Sequence, residues 1–235
     1  CLPEKLGGQG LSVLEQCALK ADLAASGSAL AMHVLGDLGG PPRVGNMLQH
    51  ATPEQLQRYF LPVIRGEKST CFAMTEPHSG SDAQSIQTQA VPDGDDYIVN
   101  GHKHYISGAP FADFAIVLCV TDPTSTPVGI SALLIDLDAP GVSVTHEYLP
   151  MSGQHIDADI RLTNVRVPQS NLLGGLGRGF QQQVRFGRGK ALGQVGDAAE
   201  RHLGAAENRQ VADQCLQRAF HVQQHQHEAA HHRRV

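Results

Sequence analysis

The stretch from Ser69 to Val167 constrains the fold most, because apolar and polar residues alternate there with a period of two. Its short segments are rich in Val, Ile, Tyr and Thr, and turn signals such as Pro92-Asp93-Gly94-Asp95 and Ala139-Pro140-Gly141 separate them. Alternating segments of this length, divided by turns, are typical of strands that pair with their neighbours along the chain. We therefore predict a mainly antiparallel β-barrel or sandwich of about one hundred residues.

A helical pattern precedes the β-region. Over residues 11–35, Ala and Leu recur at spacings of three and four, which predicts a first helix. A second helix has a clear start, because Thr52 is a good N-cap, Pro53 occupies the first helical position and Gln55 completes a capping box. We expect Pro62 to kink or end this second helix.

The sequence after Gly174 is rich in Gln, His, Arg and Ala, so it has helix propensity without a clear apolar stripe. The predicted fold class is therefore α+β in three parts. These are an N-terminal helical region at 1–68, a middle β-domain at 69–173 and an incomplete C-terminal helical region at 174–235. Because the chain starts with Cys1 instead of Met, we expect its true start to be missing.

Composition narrows the partners and the compartment. A hydrophobic content of 41% allows a sizeable core, and a formal charge of −5 with dispersed Lys and Arg argues against nucleic acid or an anionic membrane as partner. The 5 cysteines include no C-x-x-C pair, which predicts a reducing compartment and no cysteine-based zinc site. No apolar run approaches the roughly 20 residues of a membrane span, so we expect a soluble protein of the bacterial cytoplasm or mitochondrial matrix.

Residues 71–85, CFAMTEPHSGSDAQS, begin like a buried strand and then become a polar bend. Backbone N–H groups and hydroxyls at such a strand end are placed to donate to a heteroaromatic ring or a phosphate. The hydroxyls concerned belong to Thr75, Ser79 and Ser81. The alternative is an ordinary turn in which Glu76 and Asp82 bond local N–H groups, and spacing alone favours that alternative.

A second group of aromatic and hydroxyl side chains lies in NGHKHYISGA, residues 100–109. Asn100-Gly101 is a strong two-residue turn signal, so we predict a tight hairpin within DYIVNGHKHYIS. Tyr105 and Ser107 then share one face of a strand and offer a stacking surface and a hydrogen bond, which suits a flat cofactor. The alternative is a cross-strand Tyr in an ordinary sheet.

Taken together, FAMTEPHSGSD and NGHKHYISGA, inside a β-region entered from helices, resemble the acyl-CoA dehydrogenase family of flavoproteins. The resemblance extends from LPEKLGGQGLS through TPEQLQRYFLPVIRGEKS to VRVPQSNLLGGLGRGF, and its Thr-Glu-Pro-x-x-Gly-Ser-Asp core is a specific motif. It implies an FAD cofactor, an acyl-CoA substrate, electron-transfer flavoprotein or a similar acceptor, and a homo-oligomer working in fatty-acid β-oxidation.

The resemblance also implies roles for individual residues. In such enzymes the strand end at Phe72, Met74 and Thr75 contacts the flavin ring, with the Thr75 hydroxyl donating to its pyrimidine side. Ser81 matches a serine that lies near the flavin phosphates and the acyl-CoA chain, which makes it a cofactor-binding and substrate-binding residue.

The second segment is assigned to the same flavin site. Tyr105 stands where the family usually has Trp covering one ring face, and Ser107 stands where Thr commonly bonds the flavin near N5. Both replacements keep the physical property, an aromatic face and a hydroxyl. Ile106, between them, is assigned to the site as well.

Family chemistry is α,β-dehydrogenation of an acyl thioester, in which a carboxylate removes the α-proton while the β-hydride passes to the flavin. The family carries this base in its C-terminal helical domain, whose pattern the chain does not keep after GRGFQQQ. Neither Glu200, Glu207 nor Glu228 has a supporting context, so no catalytic base is assigned. The alternative to an active enzyme is therefore a catalytically incomplete fragment that retains only a flavin and acyl-CoA binding module.

The tail contains His227-Glu228-Ala229-Ala230-His231, which matches the zinc-hydrolase pattern H-E-x-x-H. The few residues after it leave no room for the usual third ligand, so zinc binding through the tail is only a remote alternative. We interpret His102, His104 and His155 as surface or hydrogen-bonded residues rather than ligands, and no metal site is assigned.

Overall fold

The structure is a computed structural model that describes residues 12–26, 47–125, 128–149 and 156–179. The described residues fall into two compact units, one with 47–60 and 68–179 and the other with 12–26 and 61–67. None of their helices is long and apolar enough to cross a membrane. The predictions for residues 27–46 and 180–235 lie outside the described residues, as do Glu200, Glu207, Glu228, His155 and the His227–His231 motif.

The larger unit is built on one 8-stranded sheet. Its strands are β1 (Thr70–Ala73), β2 (Gln89–Asp93), β3 (Asp96–Ser107), β4 (Phe114–Asp122), β5 (Gly129–Asp136), β6 (Val142–Tyr148), β7 (Asp157–Pro168) and β8 (Leu172–Leu173). Their order across the sheet is β6-β7-β3-β2-β4-β5-β8, with β1 beside β4.

The sheet is open, which corrects one part of the fold prediction. The mainly antiparallel pairing is confirmed, although β1 and β2 each pair with β4 in parallel. Among the described strands no pairing joins β6 to β8, so the predicted barrel does not close. Closure needs two edge strands that meet along a shared register, and β8 has only 2 residues to offer.

Strand β4 forms the centre of this unit. Its first residues, FAIVLCV, are all buried, so both of its faces are covered. One edge of β4 pairs with β5, and the other edge is shared, with β1 beside residues 114–117 and β2 meeting it at Gln89 and Val120. The chain between β1 and β2, residues 74–88, therefore leaves the sheet as a loop at this shared edge.

The predicted hairpin at Asn100-Gly101 is wrong, because β3 runs through these residues as a continuous strand paired with β7. Gly101 serves close packing instead of a turn, since an added Cβ would lie 2.6 Å from the Cβ of Thr88. The hairpin between β2 and β3 turns at Gly94 and Asp95, as the other turn signal predicted, with Gly94 at a φ of +62°.

Among the described residues, helical segments precede the sheet along the chain. They are α1 (Val13–Ala25), α2 (Pro53–Gln55), a π-helical turn (Leu56–Phe60) and α3 (Leu61–Arg65). The capping box is confirmed, because the Gln55 N–H donates to Thr52 Oγ1 at 3.2 Å and the Thr52 N–H donates to Gln55 Oε1 at 3.1 Å. Helical structure continues through Pro62 to Arg65, so Pro62 does not end the helix, and the π-helical turn lies just before it.

The π-helical turn packs against the start of β4. The ring of Tyr59 lies 4.8 Å from that of Phe114, and the ring of Phe60 lies 6.3 Å from it in an edge-on arrangement. The opposite face of β4 contributes Ala115, Val117 and Cys119 to the main hydrophobic core.

Candidate functional site

The two motif segments meet at one backbone hydrogen bond. The chain leaves β1 at Ala73, and the carbonyl oxygen of Thr75 accepts a hydrogen bond of 2.8 Å from the N–H of His104 in β3. The loop after β1 is thereby joined to β3 at the residue before Tyr105. The structure thus brings the backbones of the two segments into direct contact.

A β-bulge in β3 turns Tyr105 outward. Lys103 pairs with Ile160 and Ile106 with Ala158, so β3 has one more residue than β7 between these positions. Tyr105 takes up the extra length with a φ of 53°, in the left-handed region. Lys103 and Ile106 both point inward as a result, while Tyr105 is 56% exposed and Ser107 is exposed.

The ring of Tyr105 belongs to an aromatic cluster on this outer surface. Its centroid lies 4.1 Å from that of the His104 ring and 4.2 Å from that of the Tyr148 ring. The hydroxyl of Tyr105 has no hydrogen-bond partner among the described residues. Part of the ring is thus packed against protein, and more than half of the residue surface stays open.

The predicted hydroxyl donors differ in availability. The hydroxyls of Thr75, which is half-buried, and Ser81, which is exposed, make no hydrogen bond within the described part of the chain. The hydroxyl of Ser107 donates to Asp157 Oδ1 at 2.6 Å, so its hydrogen is already engaged. Ser79, also considered from the sequence, is buried and donates to the carbonyl oxygen of Asp82 at 2.6 Å.

The remaining predicted site residues divide between the two faces of the sheet. Phe72 and Met74 are half-buried and alternate with Cys71 and Ala73, which lie in the hydrophobic core. Ile106 is 2% exposed and lies in that core too. Its side chain is therefore unavailable to a ligand, whereas Phe72 and Met74 lie on the face away from the core.

The backbone of Glu76 bonds that of Ser79 in a local turn, but its carboxylate does not bond the local N–H groups that the simpler interpretation assumed. The carboxylate instead bonds the far end of the loop. It accepts hydrogen bonds from the N–H of Gln87 at 2.6 Å and from the N–H and hydroxyl of Thr88 at 3.0 and 2.5 Å. Asp82, by contrast, does cap a local turn through the N–H of Gln84 at 3.3 Å.

A buried ion pair underlies the site, and sequence reasoning missed it. Lys103 Nζ, on a residue with 0% exposure, donates to Glu76 Oε1 at 2.7 Å and to the carbonyl oxygen of Met74 at 3.1 Å. Burial would raise the pKa of Glu76, but the Lys103 ammonium and the donated hydrogen bonds outweigh burial and hold that pKa below its ordinary value. Burial lowers the pKa of Lys103, and the Glu76 carboxylate opposes this shift. The sequence did offer one signal for this pair. Lys103 falls on the same alternating face of β3 as Tyr97 and Val99, and that face points inward.

A second polar cluster lies on the outer surface of β3, β6 and β7. Asp159 Oδ2 is 2.8 Å from His102 Nε2, and Asp159 Oδ1 is 2.9 Å from both His104 Nδ1 and the hydroxyl of Tyr148. Desolvation and the hydrogen bond to Asp159 raise the pKa of Tyr148 to about 12. His102 and His104 are hydrogen-bonded as the sequence interpretation held, but to a nearly buried carboxylate.

Comparisons with known proteins agree with this architecture. Residues 71–165 match the family described as "Acyl-CoA dehydrogenase, middle domain". The caffeyl-CoA reductase-Etf complex subunit CarC of Acetobacterium woodii is 32% identical over 209 residues, which cover 88% of this chain and 53% of the relative. The short-chain specific mitochondrial acyl-CoA dehydrogenase of Homo sapiens is 32% identical over 217 residues, with 88% and 52% covered. The crystal structure of acyl-CoA dehydrogenase from Geobacillus kaustophilus matches with a TM-score of 0.66 and 33% identity, covering 78% of this chain and 48% of that one.

The sheet, its shared edge at β4 and the matched residues define this part of the molecule as a dehydrogenase-type middle domain. The chain belongs to the acyl-CoA dehydrogenase family. It spans about half the length of the relatives it matches.

Proposed function

We propose that this chain is an FAD-dependent oxidoreductase of the acyl-CoA dehydrogenase type, acting on the CH–CH bond next to the thioester of an acyl-CoA. The observation that carries the proposal is the 2.8 Å hydrogen bond between the His104 N–H and the Thr75 carbonyl oxygen. It fixes the two motif segments side by side, so that an exposed aromatic ring and unpaired hydroxyls come from adjacent backbones. Relatives that are named as dehydrogenases and reductases of acyl-CoA compounds support the same assignment.

The residues present fit a flat, polar-edged ring. Tyr105 offers an open aromatic surface, Phe72 and Met74 offer half-buried apolar surface, and the Thr75 hydroxyl is free to donate. Bound FAD supplies a two-electron acceptor for hydride. The contribution of the chain is to hold that ring, and the Glu76–Lys103 pair fixes the strand end by bonding the Met74 carbonyl oxygen.

Ser107 fits the proposed flavin site under one condition. Its hydroxyl hydrogen goes to Asp157, so it donates to a flavin nitrogen only after that hydrogen bond opens. The bond is solvent-exposed, and its net contribution of about 1 kcal/mol is small enough for a ligand to replace. Ile106 contributes through its backbone alone, because its side chain lies in the core.

The substrate and partner assignments extend this proposal. We assign Ser81, which is exposed in the loop between β1 and β2, to the acyl-CoA side of the site. An electron-transfer flavoprotein or a similar acceptor fits the Etf complex named for one relative, and a homo-oligomer belongs to the same proposal. The catalytic base stays unassigned, and so does the compartment.

The test is FAD binding followed by substrate reduction. FAD is titrated into the purified chain while visible circular dichroism and flavin fluorescence are followed, and butyryl-CoA is then added without oxygen to see whether the flavin bleaches. Tyr105→Ala is expected to weaken FAD binding about 3- to 10-fold, the equivalent of an aromatic contact worth about 0.5–1.5 kcal/mol. Tyr105→Trp keeps the ring and should bind FAD as the parent chain does.

A matched control separates site effects from general damage. Ser143→Ala removes an exposed hydroxyl from β6, away from the Thr75–His104 junction, and should leave FAD binding unchanged. A chain that binds no FAD, or whose affinity is equal in the Tyr105→Ala variant, would overturn the proposal. FAD binding without bleaching by any acyl-CoA would support the binding-module alternative over the enzyme.

A further inference from the structure

Three side chains outside the flavin proposal present metal-ligating atoms to one point. They are His102 and His104 on β3 and Asp159 on β7, and their ligand atoms all lie within 4.8 Å of one another. The Asp159 carboxylate joins the other two, with one oxygen 2.8 Å from His102 Nε2 and the other 2.9 Å from His104 Nδ1. The hydroxyl of Tyr148 adds a fourth group, 3.0 Å from His104 Nδ1.

The backbone holds these groups in place. His102 is aligned with Arg161 and Lys103 with Ile160 in an antiparallel ladder, so Asp159 follows directly on the paired strand. Alternation about the inward Lys103 places His104 on the same outer surface as His102. The side chains of His102 and His104 are 26% and 24% exposed and that of Asp159 is 6% exposed, so the cluster is fixed from below and reachable from solvent.

We propose that His102, His104 and Asp159 form a binding site for a divalent transition-metal ion, with Zn²⁺ as the best match. Two imidazoles and one carboxylate are a ligand set that zinc takes, with the fourth tetrahedral position left to water or to the Tyr148 hydroxyl. Zinc bonds of about 2.0–2.1 Å separate neighbouring ligand atoms by about 3.3 Å. The contacts of 2.8 and 2.9 Å, made by the two oxygens of Asp159, must open slightly, and the ligand atoms that lie up to 4.8 Å apart must move closer together to reach that spacing.

Metal binding requires a defined movement of protons. In the metal-free cluster the ring N–H groups of His102 Nε2 and His104 Nδ1 point at the carboxylate as hydrogen-bond donors. Each ring must present an unprotonated nitrogen to the metal, so each ring proton moves to the other ring nitrogen and nothing is oxidised or reduced. None of the three ligand side chains is assigned to FAD, although the backbone of His104 carries the hydrogen bond to Thr75 and its ring lies 4.1 Å from that of Tyr105.

The experiment must first remove competition from other histidines. The tail histidines, His221, His225, His227, His231 and His232, offer their own metal affinity, so the full-length chain is used with all five changed to Ala. This parent is stripped with a chelator, titrated with Co²⁺ while its visible absorption is followed, and then titrated with Zn²⁺ by calorimetry. We expect one equivalent of tetrahedral Co²⁺ absorption that Zn²⁺ displaces.

Isosteric variants and a control then locate the ion. Asp159→Asn, His102→Gln and His104→Asn should each raise the Kd by more than about 100-fold, since even an outer-shell partner contributes about 10–100-fold. His146→Asn alters a ring 4.6 Å from that of Tyr148 but outside the ligand set, so it should bind as the parent does. Added Zn²⁺ should raise the Tm of the parent and of His146→Asn, and leave the Tm of Asp159→Asn unchanged, which shows that the variant is folded and lacks the site. Equal binding by the parent and Asp159→Asn, or no tetrahedral Co²⁺ spectrum in the parent, would overturn the proposal.

Discussion

At the scale of single residues, the Glu76–Lys103 pair governs the position of the loop that follows β1. A lysine with no exposed surface is costly to bury, and it is retained here because Glu76 and the Met74 carbonyl oxygen both accept from it. The same carboxylate binds the far end of the loop at Gln87 and Thr88. One ion pair therefore fixes both ends of the segment that carries Ser81.

Removing both partners of this pair should cost less than the sum of removing each partner alone. Lys103→Met leaves a buried carboxylate without its cation, and we expect the free energy of unfolding to fall by about 3–5 kcal/mol. Glu76→Gln/Lys103→Met removes both charges, and its loss should be clearly smaller than the sum of the two single losses. Urea unfolding followed by far-UV circular dichroism and tyrosine fluorescence measures this, since the chain has no Trp. Additive single losses would show that the charges are not coupled.

Lowering the pH should reduce the stability that the same ion pair provides. The folded-state pKa of Glu76 lies below its unfolded value, so its stabilising contribution is complete above the unfolded pKa and is lost as pH falls through the folded pKa. The stability advantage of the parent over Glu76→Gln should therefore shrink as urea unfolding is repeated from neutral pH into the acid range. An advantage that stays constant with pH would assign the effect to packing.

At the scale of elements, the bulge in β3 determines which side chains reach the outer surface. Strict alternation from the inward Lys103 would send Tyr105 inward, and the extra residue sends it outward with a φ of 53°. The sequence predicted, without the bulge, that Tyr105 and Ser107 share one face of a strand, and in the structure both are exposed. The error at Asn100-Gly101 has a related cause, because a local turn signal does not reveal that Thr88 packs where a Cβ would stand.

Two substitutions at Tyr105 distinguish a bulge from a regular strand. A β-branched residue is strained in the left-handed region, whereas Asn tolerates that conformation. The free energy of unfolding measured in urea should therefore be about 1–2 kcal/mol lower for Tyr105→Val than for Tyr105→Asn. In a regular strand the order would reverse, because Val is favoured there and Asn is disfavoured. Both variants lose the ring, so the comparison cancels its packing contribution to first order.

At the scale of the whole molecule, local pattern predicted a β-region of mainly antiparallel character, but not the assembly of the sheet. Alternation and turn residues act over a few positions, and they suffice for the β2–β3 hairpin. The parallel pairing of β1 with β4 joins segments about forty residues apart, and nothing in either segment alone specifies it. The residues assigned to the proposed flavin site were reached through a motif, whereas Lys103 and the Asp159 cluster depend on pairing between distant strands.

Unequal protection across the sheet should be measurable by hydrogen exchange of the intact chain. β4 is buried on both faces and pairs along both edges, so its amides open only with the whole unit and should exchange slowest. Among the described strands, β6 has a single partner, β7, and no fully buried residue, so its peptides should exchange first. Mass spectrometry of peptic peptides gives this order directly, and the β7 peptides, paired on both edges, serve as the internal reference. Protection of β6 equal to that of β4 would mean that its free edge is covered in solution, contrary to an open sheet.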